Sequence, residues 1–134
     1  MQKTMVISLL IGCNLLWYFF TQPLENNYDK KIYDLPINQH TELVGYRNNT
    51  GGATVPFTYA YFILNNKKTI DQVKPFLISS TESITAKAHT GSAITITLSG
   101  KIYHFTNAVW VKDTHNQLYP ITINLQSTYT YKKL

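Results

Sequence analysis

The chain opens with an uncharged, mostly apolar run, Met5–Phe20, and then changes character. From Thr41 onward the apolar residues come in short stretches, many alternating with polar ones, separated by turn-forming residues. A continuous run of this kind predicts a helix in lipid, where every backbone N–H and C=O must be satisfied within the segment. Alternation with a period of two predicts strands with one buried face.

The strands follow in order. Thr41–Tyr46 predicts a short strand ending in Arg47, and the run Asn48-Asn49-Thr50-Gly51-Gly52 predicts a tight reversal. Gly51 and Gly52 are the structural residues of that turn, because glycine reaches positive φ at little cost. Ala53–Leu64 predicts a strand apolar on both faces, with Phe57, Tyr59, Tyr61 and Ile63 on one and Ala60, Phe62 and Leu64 on the other. Such a strand has to be central or covered. Pro56 has no N–H to give a ladder and places the strand's start at an edge or a bulge. Thr69–Val73 predicts one helical turn with Thr69 as N-cap, stopped by Pro75.

Phe76–Ile78, Ser83–His89, Ala93–Ser99, Lys101–Phe105, Ala108–Lys112 and Leu118–Leu125 complete the series of predicted strands. Ile94, Ile96 and Leu98 alternate with threonines. Tyr119, Ile121, Ile123 and Leu125 share a face. Ser99-Gly100 predicts a turn from which the chain returns alongside its predecessor.

The expected fold class is therefore mainly β: a single N-terminal transmembrane helix followed by a small antiparallel β-sandwich or open barrel. Residues 1–21 are expected to form a membrane anchor of the signal-anchor type, 22–36 a polar spacer, and 37–134 an exported β domain. Met5–Phe20 would cover roughly 24 Å as a helix, slightly short of the hydrocarbon core of about 30 Å. Trp17 and Tyr18 suit the headgroup level. Lys3 and the short N-terminal tail favour a cytoplasmic N-terminus, which places the C-terminal domain outside the cell membrane, periplasmic in a double-membraned cell. A second reading is a lipoprotein signal, because Leu10-Ile11-Gly12-Cys13 fits a lipobox with Cys13 as the lipidated residue. The apolar run continues past Cys13, which favours the uncleaved span.

Composition changes this picture in two ways. Cys13 is the only cysteine of the 134 residues, so the β domain has no disulfide. That fits a bacterial envelope better than a small eukaryotic secreted domain. The net charge of +5 comes from scattered pairs such as Lys30-Lys31, Lys67-Lys68 and Lys132-Lys133, with Arg47 the only arginine. A nucleic-acid footprint would be denser. These lysines read as solvated turn residues, and attraction to anionic lipid or an acidic partner is the sharper reading.

Candidate chemistry is sparse. His40, His89, His104 and His115 are not spaced as zinc ligands, and neither a metal nor a cofactor is expected. Asp113 and His115 could belong to a triad, but there is no Gly-x-Ser-x-Gly elbow. The seven acidic residues are spread out and suggest no carboxylate pair.

Gly51-Gly52-Ala53-Thr54, followed by Tyr59, Tyr61 and later Trp110, resembles a pattern in small, N-terminally anchored bacterial proteins with a Gly-Gly-Ala-Thr motif, a domain of unknown function. The resemblance implies an anchored β domain and carries no activity.

The expectation is a non-enzymatic, single-pass envelope protein that binds another protein non-covalently, with immunity-type neutralisation of a toxin as one concrete form. An accessory subunit of an envelope or secretion assembly is the alternative, and an envelope hydrolase the reading from another class. Tyrosine gives large contact area with few rotors to freeze. The candidate binding residues are therefore Tyr59 and Tyr61, if their face is open, and Tyr129, Tyr131, Lys132 and Lys133 in the tail. The other partner is the membrane, through the N-terminal helix.

Overall fold

The computed structural model describes residues 11–13, 26–51, 54–65, 67–90 and 92–129. Most of the expected anchor lies outside them. Within it, residues 11–13 are helical and Cys13 carries an exposed thiol. Among the described residues no helix is long and apolar enough to cross a membrane.

The remainder is mainly β. The strands are β1 (Tyr28–Pro36), β2 (Thr41–Asn48), β3 (Thr58–Asn65), β4 (Leu77–Ser79), β5 (Ile84–His89), β6 (Ala93–Ser99), β7 (Ile102–Phe105), β8 (Ala108–Lys112) and β9 (Leu118–Thr128). They form a five-stranded sheet in the order β1-β2-β3-β4-β7 and a four-stranded sheet in the order β5-β6-β9-β8. One core joins them. Leu43, Tyr61, Ile63 and Leu77 of the larger sheet pack with Ile94, Ile96, Leu98, Val111, Ile121 and Ile123 of the smaller. Each such side chain, fully buried, stabilises the fold by roughly 1.5–3 kcal/mol.

β3 occupies the middle of its sheet and is apolar on both faces, as its pattern requires. Its other face holds Ala60, Phe62 and Leu64, which with Val44 of β2 form a second buried cluster. Ile70 and Val73 cover that cluster from a single 3₁₀ turn, Ile70–Gln72. Thr69 opens the turn, and its N–H donates to Gln72 Oε1 at 3.2 Å. Tyr28, Tyr46 and Phe62 meet edge-on there, with ring centroids 5.3–6.4 Å apart.

Several expectations need correction. Part of the stretch expected as a spacer is β1, antiparallel to β2 at the sheet edge. Two register shifts, between Tyr28 and Lys30 and between Lys31 and Tyr33, break its alternation. Bulges and lysines are common protection for an edge strand, and here they make the stretch read as polar linker. The connection from β2 to β3 spans 49–57 and is not a tight hairpin. Gly51 in it does not adopt positive φ, while Gly52 lies outside the described residues.

The chain does not turn back on β6 after Ser99-Gly100 either. It crosses to the larger sheet, where β7 pairs with β4, and then returns to the smaller one as β8. Gly100 makes this crossing possible: a Cβ there would lie 2.9 Å from Thr81 Cγ2 and 3.1 Å from Ser80 Oγ. The excursion supplies the crossover that a parallel pair needs. Accordingly β9 runs parallel to β6, from Ala93 opposite Thr122 to Ser99 opposite Thr128.

Both described chain ends of the β domain leave from one end of the sheets. Asn49 N–H donates to the Asn27 carbonyl and Gly100 N–H to the Thr128 carbonyl. The pairs Arg47–Tyr59 and Tyr59–Ser79, with the Ser80 N–H bond to the Lys101 carbonyl, connect those points. The β1–β2 turn, the end of β3 and the 113–117 loop lie at the opposite end.

Candidate binding site

Of the expected binding residues, Tyr61 cannot meet a partner. It is fully buried, and its hydroxyl donates to the Thr81 carbonyl at 3.1 Å. Burial pushes that hydroxyl's pKa well above the usual tyrosine range. Tyr59 is half-buried against the shared core. Tyr129 is exposed just beyond β9, and Tyr131, Lys132 and Lys133 lie outside the described residues. The alternation that brought Tyr59 and Tyr61 onto one face was read correctly, but that face is the inner one.

Arg47 is likewise committed to structure. Its Nε and Nη2 donate to the two carboxylate oxygens of Asp29 at 2.9 and 2.8 Å, and its guanidinium lies 4.5 Å from the Phe57 ring centre. Asn49 adds a donor to the same carboxylate at 3.3 Å. The hydrogen bond from Arg47, first among these causes, holds the Asp29 carboxyl below its ordinary pKa. Planar two-point pairing of this kind fixes geometry as well as charge, and here it ties the start of β1 to the end of β2.

The histidines are dispersed. His89 Nε2 shares a hydrogen bond with Thr95 Oγ1, and His104 Nε2 with Thr106 Oγ1. Among the described residues no group of three His, Cys, Asp or Glu side chains is placed to hold a metal. Asp113 and His115 are joined through the His115 backbone N–H and the Asp113 carboxylate. That arrangement shapes a loop and does not align an imidazole.

What the fold does bring together lies at the end away from the described chain ends of the β domain. A cleft of about 310 Å³ is bounded by the end of β3, the turn after it, the end of β8, the 113–117 loop and, through His40, the β1–β2 turn. Lys67, Lys68 and Lys112 line it beside Asn65, Asp113 and Asn116. Asn65 joins the two walls. Its side-chain amide donates to the Lys112 carbonyl, and its side-chain oxygen accepts the Lys67 N–H at 3.4 Å.

The facing loop is braced from within. Asp113 Oδ1 accepts the N–H groups of His115 and Gln117, both at 2.9 Å, and the Asp113 N–H donates to the Gln117 carbonyl. Asn116 completes the turn at φ 62°, a left-handed conformation that asparagine tolerates. Among the described residues the salt bridges are Lys31–Asp34 and Arg47–Asp29, so none of the cleft lysines is paired with an acid.

Next to the cleft, the outer face of the smaller sheet carries two large exposed apolar side chains. Trp110 is 64% exposed and Leu118 60%. Trp110 lies across from Pro120, and Leu118 across from Lys112, on neighbouring strands. The rest of this face is polar, with Thr85, Lys87, Thr97, Thr122 and Asn124 exposed. The sequence places Trp110 in a strand without assigning it to a surface, and Lys67-Lys68 read there as solvated turn residues or as an attraction for anionic lipid or an acidic partner. The meeting of Lys67 and Lys68 with Lys112 is set by sheet packing and leaves no local signal.

Comparison with protein-family models, curated proteins and solved structures gives no match.

Proposed function

We propose that this chain is a non-catalytic binding protein of the cell envelope. Residues 1–21 hold it in the membrane, the β domain stands on the outer side, and a partner protein seats on Trp110 and Leu118. Neutralising an incoming toxin is the concrete form of this reading.

The observation that carries it is the exposure of Trp110. Leaving a large aromatic in water forgoes the roughly 1.5–3 kcal/mol that burial of a large apolar side chain gives. Trp is also among the residues that most often dominate interface energetics. Its neighbours across the strands, Pro120 and Leu118, extend the apolar area on an otherwise polar face.

The test is site-specific crosslinking in living cells. A photoreactive amino acid at 110 or 118 should capture one discrete protein, and the same probe at Thr85, exposed on the far strand of that face, should not. Equal labelling at all three positions would remove the reading. A reporter fused after Leu134 should be active only if it requires the extracytoplasmic side, and activity of a cytoplasm-only reporter would remove the topology.

A further inference from the structure

We propose that the lysine cleft receives an acidic peptide segment of the partner, its side-chain carboxylates meeting Lys67, Lys68 and Lys112. The inference rests on the reading of this end of the molecule as a protein-binding surface, and it names the chemistry of what binds.

The first argument is charge. Three lysine residues line the cleft, and none is paired with an acid among the described residues. Asp113 is the carboxylate of the lining, and one of its oxygens is already engaged by two backbone N–H groups of its own loop. Like charges gathered around a concavity raise its potential and attract a complementary anion.

The second argument separates carboxylate from phosphate. Sites built for phosphate present free backbone N–H groups, from a helix N-terminus or a nest. Most of the amides around this cleft are spent internally. Those of Lys67 and Lys68 donate to Asn65, those of His115 and Gln117 to the Asp113 side chain, and that of Asn116 to the Asp113 carbonyl. The lysines supply a set of flexible point charges from two separate walls. Lysine lacks the planar fork that arginine offers a phosphate. Several carboxylates along an extended segment match such a set better than one compact dianion.

The third argument is position. Lys112 lies across from Leu118, beside Trp110, so a segment in the cleft continues onto an apolar contact. A peptide with acidic and apolar residues satisfies both, whereas a free anion leaves the apolar part unused.

The test uses the full-length chain in neutral detergent with Trp17→Phe, so that Trp110 alone reports by fluorescence. The probes are a short glutamate-rich peptide containing leucine, the same peptide with glutamines in place of the glutamates, and inorganic polyphosphate. The glutamate peptide should bind and weaken with added salt. Lys67→Glu with Lys112→Glu should weaken it by about tenfold or more, as lost charge pairs do, while Lys87→Glu on the exposed sheet face should not. Unchanged unfolding curves for these variants would confirm that the fold is intact.

Equal binding of the glutamine peptide, or no binding of the glutamate peptide, would overturn the proposal. So would polyphosphate competing at the same concentration with the same lysine dependence. Crosslinking from position 110 that persists in the lysine variants would leave the partner reading standing and remove the acidic segment. Glutamate-peptide binding without any crosslink at 110 would do the reverse.

Discussion

Gly45 of β2 lies directly across from Tyr61 of β3, and a Cβ on Gly45 would come within 2.7 Å of Tyr61 Cε1. Tyr33 of β1 closes the other side, with its Cβ 3.0 Å from the same point. The glycine thus makes room for a buried ring between three strands. Gly45→Ala should therefore destabilise the domain by about 1–3 kcal/mol, the usual cost of overpacking a filled core. Urea unfolding would show a lower midpoint with an unchanged slope.

The same ring predicts behaviour at high pH. Burial is the largest cause holding the Tyr61 hydroxyl protonated above its usual range, and Tyr28 is raised by burial as well. A proton held more tightly in the folded state means that stability is intact below the unfolded pKa, near 10. It is lost as pH rises from there toward the folded value, by up to about 1.4 kcal/mol per pH unit for one such group. Unfolding followed between neutral and strongly alkaline pH should show this decline. Tyr61→Phe should flatten it while losing about 1 kcal/mol at neutral pH for the hydrogen bond to Thr81.

At the acid side the Asp29–Arg47 pair sets the opposite slope. The carboxyl is held below its ordinary pKa, first of all by the hydrogen bond from Arg47. Its contribution is present above the unfolded pKa and disappears as pH falls through the folded one. The difference in melting temperature between wild type and Asp29→Asn should be largest near neutrality and vanish in acid. A difference independent of pH would show that the pair acts only through packing.

Trp110→Ala and Leu118→Ala should change stability by no more than about 0.5 kcal/mol, since both side chains lie in water. Phe62→Ala, at a fully buried position, should cost about 3–5 kcal/mol. Thermal melts of the three variants would separate surface from core, and a large loss at Trp110 would make it a structural residue.

Local pattern carried much of the fold and little of the site. The bounds of Ala93–Ser99 and Ala108–Lys112 coincide with β6 and β8, because each is a clean run between turn residues. The two-faced run Ala53–Leu64 announced the central place of β3 through the absence of a polar face, although the strand itself begins only at Thr58. β1 was hidden because its bulges disrupt the period that marks a strand. The sheet change at Gly100 was hidden because a glycine that permits close approach reads the same as one that turns a hairpin. The tyrosines drew attention as contact residues, yet the fold uses Tyr61 as core and leaves Trp110 outside. A single sequence cannot say which face of a sheet is covered.

The two described chain ends of the β domain and the cleft lie at its opposite ends, and the nine-residue strand β1 spans the interval, about 30 Å when extended. With residues 1–21 embedded as proposed, that length becomes a standoff height. The Debye length in physiological salt is about 8 Å, so lipid headgroups at the base cannot neutralise Lys67, Lys68 and Lys112 at the top. A molecule lying flat on the bilayer would pass beneath them, and one arriving from the aqueous side would meet the end of the domain that carries them.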